Sequence, residues 1–267
     1  MKTRLLIVGY GNMARAILKG FAKNASKLTS YYDVEVTGRN AMQFHYSFLQ
    51  ALPFEVRYSS TDDIIDIDQD TIVLLTIKPH ALGSYRYEGK ASAVLSVLAG
   101  VSVEDLAKHI DSQAYVRCMP NIAARYGLSA TTMYTPHYPL LQRRDIRELL
   151  RFLGNIVEVS SESLIDASLA TNGSSLAFLS MVAQALVSAG VREGLSVNQA
   201  SELVEQSFKG FAQLLEEQNP QEIIDSICTP GGATIAGLSV LEEKAFKGIL
   251  MQACHIAVRK GRTKFRK

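Results

Sequence analysis

The run Leu5-Leu6-Ile7-Val8-Gly9-Tyr10-Gly11-Asn12-Met13-Ala14 constrains this 267-residue chain more than any other stretch. Four apolar residues lead straight into Gly-x-Gly, and Ala14 stands where a third glycine often does. Arg15-Ala16-Ile17-Leu18-Lys19-Gly20-Phe21 then continues with apolar residues at helical spacing. A strand, a tight turn and a helix N-terminus in that order form the geometry that cradles a dinucleotide pyrophosphate. Gly9 permits the turn, Gly11 lets the backbone approach the phosphates, and the small Ala14 lets the helix lie close to the strand. The first N–H groups of the helix, at Asn12, Met13 and Ala14, then face the anion.

The next strand, Val34-Glu35-Val36-Thr37, matters at its carboxyl end, where an acidic residue would bind the ribose hydroxyls of NAD. The chain offers Thr37-Gly38-Arg39-Asn40 there, and Asp33 and Glu35 come too early in the strand to reach the ribose. A hydroxyl, an open glycine, a guanidinium and an amide suit a 2′-phosphate, which arginine grips with a planar fork. NADPH is therefore the expected cofactor, with NADH as the alternative; a merely solvated Arg39 is the plainer reading.

Ala41 to Leu52 has helical spacing and stops at Pro53, and Val56-Arg57-Tyr58 suggests a short strand. Asp62, Asp63, Asp66, Asp68 and Asp70 lack the glycine and terminal glutamate of a calcium loop, so a solvated helix and loop is expected. Thr71 to Ile77 is apolar almost throughout, as a parallel strand covered on both faces should be, and ends at Lys78-Pro79-His80. Lys78 and Pro79 thus fall on the sheet edge where ligands bind, which makes Lys78 a candidate cofactor or substrate contact. Further strands are expected at Ala93–Leu98, Tyr115–Met119 (followed by Pro120-Asn121), Ala130–Tyr134 and Ile156–Val159, with helices from Val103 and over Asp145–Leu153. Alternating strands and helices over residues 1–160 define an α/β domain with a Rossmann-like, doubly wound, mostly parallel sheet.

After Ser160 the strand signals fade, and residues 161–267 carry helical spacing to the end, expected at Leu176–Val191, Val197–Leu215 and Ala245–Arg259. So much apolar helix suits a dimer core as well as a closed bundle. A net charge of +2 points to no nucleic-acid partner, and Arg259, Lys260, Arg262, Lys264, Arg266 and Lys267 form a solvated basic end. Cys118, Cys228 and Cys254 show no metal-ligand spacing, so reduced thiols, no metal and a cytoplasmic protein are expected. Leu5–Val8 is too short for a secretory segment, and no stretch is expected to approach the ~20 apolar residues of a membrane span.

Two small-residue clusters stand in the helical half. Thr171-Asn172-Gly173-Ser174-Ser175 precedes the long helix and can serve simply as its cap. Cys228-Thr229-Pro230-Gly231-Gly232-Ala233-Thr234 opens another helix and offers free N–H groups with two hydroxyls, a ready site for a small carboxylate; a plain interhelical turn is the alternative.

Taken together these segments resemble the pyrroline-5-carboxylate reductase family. The resemblance runs in order through Gly9–Ala14, Ile77-Lys78-Pro79-His80, Leu98-Ala99-Gly100-Val101, Val116-Arg117-Cys118-Met119-Pro120-Asn121 and Asn172-Gly173-Ser174-Ser175. It is most specific at Thr229–Ile235, followed by Val240-Leu241-Glu242-Glu243-Lys244-Ala245-Phe246. It implies a Rossmann domain followed by a helical dimerisation domain, a homodimer or a larger ring of dimers, and hydride transfer from NAD(P)H to the ring imine carbon of 1-pyrroline-5-carboxylate, making L-proline. By position, Thr229, Gly231, Gly232 and Ala233 would hold the substrate carboxylate and Thr234 would hydrogen-bond the ring nitrogen. Glu217 falls where some members keep an acidic residue near the substrate, and Lys78, Asn121 and the glycine turn would line the cofactor side. The family's Pro-Asn-Thr-Pro is Pro120-Asn121-Ile122-Ala123 here, and its Ser-Gly-Ser-Gly/Ser-Pro-Ala-Tyr is Asn172-Gly173-Ser174-Ser175-Leu176-Ala177-Phe178. A related reductase of another small cyclic imine or β-hydroxy acid, and a non-catalytic nucleotide-binding regulator, are the competing functions.

Overall fold

The computed structural model describes residues 2–39, 46–60, 64–136 and 140–263. Asn40, the first part of the helix expected over 41–52, Asp62, Asp63 and the end of the basic run (Lys264, Arg266 and Lys267) lie outside the described residues.

Ten strands are present among the described residues: β1 (Thr3–Val8), β2 (Tyr32–Gly38), β3 (Val56–Ser60), β4 (Ile64–Ile67), β5 (Thr71–Leu75), β6 (Arg86–Gly89), β7 (Ala93–Ser96), β8 (Tyr115–Met119), β9 (Ser129–Tyr134) and β10 (Gly154–Glu158). Eight of them form one sheet in the order β10-β9-β8-β7-β5-β1-β2-β3, while β4 and β6 pair separately. Every pairing in the large sheet is parallel except β8 with β9. Helices α1 (Asn12–Ala22), α2 (Ala25–Tyr31), α3 (Tyr46–Gln50), α4 (Val103–His109), α5 (Leu140–Arg151) and α6 (Ser163–Ala167) connect the strands and follow them.

The central strands are apolar along their length because both faces are covered. Leu5, Ile7, Ile72, Leu74 and Leu95 face one layer with Ile17, Leu18 and Phe21 of α1. Leu6, Val8, Val73, Leu75 and Val94 face the other with Leu98, Val101 and Leu106. Helix α4 is held at its start by a capping box, in which the Ser102 hydroxyl accepts the Asp105 N–H and the Asp105 carboxylate accepts the Ser102 N–H.

The acidic run corrects one expectation, since Ile64–Ile67 is a strand rather than helix or loop. Its burial alternates, with Ile65 and Ile67 inside and Ile64 exposed, which is the period of a half-buried strand. The aspartates that drew attention to the segment hid that alternation.

The chain divides into two compact units, one of residues up to Gly173 together with those from Ala257 on, the other Ser174–Ile256. The second contains α7 (Ser175–Arg192), α8 (Val197–Glu217), α9 (Pro220–Ile227), α10 (Ala233–Glu243) and the start of α11 (Phe246–Thr263). Helices α7 and α8 pack closely, for a Cβ on Gly190 would stand 3.2 Å from the Cβ of Ala200. Capping boxes at Ser196/Gln199 and Asn219/Glu222 start α8 and α9. Within this unit Ala200 and Ile223 are the buried apolar residues, and α7 and α10 bury none. The stretch Ser163–Arg192 also contains an 18-residue window of mean hydropathy 1.6, enough by length and composition alone to cross a membrane, which corrects the expectation that nothing approaches a span.

Candidate active site

The carboxyl ends of β1, β2, β5, β7 and β8 lie along one edge of the sheet, because these strands run parallel. β1 sits between β2 and β5, where the strand order reverses, and ligands of open α/β sheets bind outside the strand ends at that point. Gly9 leaves β1 with φ +110°, and a Cβ there would lie 2.8 Å from Thr76 Oγ1 and 3.0 Å from the Ile77 nitrogen. Thr76 closes the turn from below, donating both its N–H (2.9 Å) and its hydroxyl (3.0 Å) to the Val8 carbonyl. The Gly9 N–H donates to the Thr37 carbonyl at 2.8 Å, which ties the turn to the end of β2.

Gly11 is the N-cap of α1 and has open space where a Cβ would stand. The first turn of α1 carries no acidic side chain and no side-chain cap, and Arg15 is the first N–H bonded back, 3.1 Å to the Gly11 carbonyl. The N–H groups of Asn12, Met13 and Ala14 are therefore presented at a positive helix end with room above them, so these residues fit a bound pyrophosphate. Ala14 is fully buried, and α1 also packs closely at Gly20, where a Cβ would collide with the Ala124 carbonyl.

Other expected residues differ in how available they are. Thr37 is 2% exposed, and its hydroxyl donates to the Ser59 carbonyl and accepts from the Ser59 hydroxyl at 3.1 Å, inside the sheet. Glu35 is engaged by Arg4 at 3.0 Å and by Ser59. Arg39 is exposed at the end of β2, and its Nη2 donates to the Ser84 carbonyl at 2.8 Å. Lys78 is exposed at the start of the short 3-10 helix Pro79–Ser84. Asn121 is buried and its polar groups are committed: Oδ1 accepts the Ala123 N–H, Nδ2 donates to the Asn172 carbonyl, and its N–H donates to Ser129 Oγ.

Two residues that the sequence offered only as part of a helix cap and of the Val116–Asn121 segment turn out to be anchors. Asn172 is 4% exposed, and its amide nitrogen donates to the carbonyls of Met119 (2.6 Å) and Ala130 (2.9 Å), fastening the ends of β8 and β9 beside Asn121. Arg117 is buried and ion-paired to Asp166 at 2.8 Å and Glu162 at 3.3 Å. Those carboxylates also accept the Gly100 and Val103 N–H groups, so the node holds the loop after β7 against β8. A charged residue in the middle of an apolar strand was the available signal. Next to it, burial pushes the Cys118 thiol up to about 12 despite the neighbouring guanidinium, which makes it a core residue without nucleophilic use.

In the second unit, Thr229-Pro230-Gly231-Gly232 forms a tight turn with the Gly232 N–H donating to the Thr229 carbonyl at 2.9 Å. Proline in second place and Gly231 at φ +73° in third are what a type II turn requires. A Cβ on Gly232 would stand 2.6 Å from Thr229 Oγ1, so glycine is needed for the hydroxyl to approach. Gly232 then begins α10 without a side-chain cap, and the first N–H bonded back is Ala236, 3.3 Å to the Gly232 carbonyl. Ala233, Thr234 and Ile235 thus offer N–H groups beside the exposed hydroxyls of Thr229 and Thr234, while the Gly232 N–H is spent within the turn. Glu217 is the exposed last residue of α8 in the same unit.

A cavity of about 670 Å³ lies at the opposite, amino-terminal edge of the sheet, beside Thr3, Tyr32, Asp70 and Ser92. Lys27 and Glu148 pair near it at 3.7 Å, and none of the motif residues lines it. Among the described residues no group of three or more His, Cys, Asp or Glu could hold a metal ion.

The fold and the glycine turn define a dinucleotide-binding α/β chain with an added helical unit. Residues 4–100 match the family model described as NADP oxidoreductase, coenzyme F420-dependent, and residues 162–264 match pyrroline-5-carboxylate reductase dimerisation. The chain is 48% identical to a pyrroline-5-carboxylate reductase of Helicobacter pylori, covering 97% of this chain and 98% of that one. It is 32% identical to the Thermus thermophilus enzyme of the same name over 97% of each chain. The solved pyrroline-5-carboxylate reductase of Streptococcus pyogenes is 27% identical with a TM-score of 0.83, covering 98% of this chain and 99% of that one. The chain belongs to the pyrroline-5-carboxylate reductase family, and its dimerisation domain makes it a homodimer.

Proposed function

We propose that this protein reduces 1-pyrroline-5-carboxylate to L-proline with NADPH, the last step of proline biosynthesis, as a cytoplasmic homodimer. The observation that carries the reading is the Thr229–Thr234 turn opening an uncapped helix, in a chain whose relatives are named for this reaction. When bound, NADPH supplies the hydride that the imine carbon accepts. The N–H groups of Asn12, Met13 and Ala14 hold its pyrophosphate, and Arg39 holds the 2′-phosphate. Lys78 and Pro79 border the same strand ends, while Thr37 and Asn121, already bonded inside, shape the edge.

The substrate carboxylate is held by the Thr229 hydroxyl and the N–H groups of Ala233 and Thr234. Gly231 and Gly232 provide the turn and the space, and Glu217 adds an acidic group in the same helical unit. As the C=N bond becomes C–N, the ring nitrogen gains an electron pair, which the Thr234 hydroxyl stabilises as a donor while the proton comes from solvent or a protonated imine. Reduction of this kind asks the protein for positioning and one hydrogen bond rather than an acid–base dyad. Three thiols free of disulfides suit a reducing compartment. Residues 1–160 thus serve the cofactor and 161–267 the substrate and the dimer, and a ring of dimers is the larger assembly this division permits.

Purified protein given NADPH and the pyrroline carboxylate should oxidise the cofactor and form L-proline in equal amounts. Tight NADPH binding without turnover of that imine would reject the substrate, and a panel of other cyclic imines and β-hydroxy acids would then find the true one.

A further inference from the structure

The glycine turn and the end of β2 meet in a contact that neither motif announces. A Cβ built on Gly38 would lie 2.8 Å from Cε1 and 2.9 Å from Cδ1 of Tyr10. The Tyr10 ring, carried between the two turn glycines, therefore occupies the space where a side chain at position 38 would begin. Gly38 is not among the glycines with positive φ, so it is this ring and not the backbone conformation that calls for glycine. The Tyr85 hydroxyl bounds the same space at 3.8 Å.

Tyr85 also holds Arg39. The guanidinium carbon lies 5.3 Å from the centre of the Tyr85 ring, and the Arg39 N–H donates to the Tyr85 hydroxyl at 3.4 Å. With the Ser84 carbonyl taking Nη2, the arginine is gripped from residues 84–85 before any ligand arrives. A guanidinium ordered in advance loses less freedom on meeting an anion. Folds that bind NAD place a carboxylate at the end of this strand for the ribose hydroxyls, and that carboxylate would repel a 2′-phosphate.

We propose that Tyr10 and Tyr85 set the choice of dinucleotide: Tyr10 bars any side chain from position 38, and Tyr85 presents Arg39 to the 2′-phosphate. The inference rests on the NADPH reading above and adds the two residues that enforce it. It explains why a glycine ends β2 where a longer residue would otherwise pack.

The test is direct binding by calorimetry, without turnover, of NADPH, NADH, 2′,5′-ADP and 5′-AMP. Tyr85→Ala should weaken NADPH and 2′,5′-ADP about tenfold, the scale of one cation–π contact plus one hydrogen bond, and leave NADH and 5′-AMP unchanged. Tyr85→Phe, which keeps the ring, should restore most of the loss. Gly38→Asp alone should lose NADPH and gain nothing for NADH, whereas Tyr10→Ala with Gly38→Asp should bind NADH about tenfold more tightly than the native chain. NADH binding by Gly38→Asp as tight as by the double variant, or equal losses of NADPH and NADH in Tyr85→Ala, would overturn the proposal. Gly38→Ala gives a readout free of cofactor: it should lower the melting temperature clearly in the native background and much less beside Tyr10→Ala, and equal losses would refute the steric contact. If the native protein binds 2′,5′-ADP no better than 5′-AMP, the NADPH reading itself fails, a result separate from the melting cycle.

Discussion

The two units of this chain solve the problem of burial differently. The first covers both faces of its sheet with its own helices and leaves Leu5, Leu6, Ile7, Val8, Ile17, Phe21, Leu74 and Leu95 fully enclosed. The second is equally regular, with capping boxes on α8 and α9, yet many of its large apolar side chains stay outside: Met181 is 73% exposed, Met251 72% and Ile249 61%. Helical regularity therefore does not measure self-sufficiency. A surface so apolar needs a cover, and in a homodimer whose dimerisation match spans residues 162–264 a second copy is the cover to expect. Helix α7 belongs to this surface and lies in the stretch that by length and composition alone could pass for a membrane span.

Changes in the two units should fail in different ways. Met181→Asp or Ile249→Asp places a charge on the apolar surface and should have the largest effect, loss of the dimer, seen by light scattering as a halved mass or as aggregation. The native melting temperature should rise with protein concentration, because folding and association are linked there. Arg117→Ala strikes the first unit by leaving the Asp166 and Glu162 carboxylates unpaired and should cost about 3–5 kcal/mol in denaturant unfolding. Thr234→Ala should leave the mass and the NADPH affinity unchanged while kcat falls roughly 10²-fold, as for loss of one donor to developing charge.

The smallest effect belongs to the α4 cap. Ser102→Ala should cost about 1 kcal/mol. The Ser102 hydroxyl, with Lys108 assisting, holds the Asp105 carboxyl below its usual range. A carboxyl with a lowered folded pKa contributes stability above its ordinary value near 4, and that contribution is lost as pH falls through the lowered one. The native advantage over Ser102→Ala should therefore be full at neutral pH and shrink in acid, which thermal melts across pH would show.

Much of the first unit was legible because its signals are local. The Gly9–Ala14 turn, the apolar runs of β5, β7 and β8, and the shift to helical spacing after Ser160 each depend on neighbours in sequence. What escaped depends on partners far along the chain. The 64–67 strand pairs with 86–89, the Arg117 node draws on residues 45 and 49 positions away, and Gly38 owes its identity to Tyr10. Availability was hidden for the same reason: Thr37 and Asn121 look like ligand contacts by position, but Ser59 and Asn172 claim their polar atoms. In the helical unit the Thr-Pro-Gly-Gly turn was readable residue by residue, since proline and a left-handed glycine specify it.

The most direct measurement follows the hydrogen itself. NADPH carrying deuterium at the transferable C4 position, incubated with the protein and the pyrroline carboxylate, should yield L-proline with one deuterium on the ring carbon that had been the imine carbon. Oxidised cofactor without deuterium in proline, or no proline at all, would contradict the account.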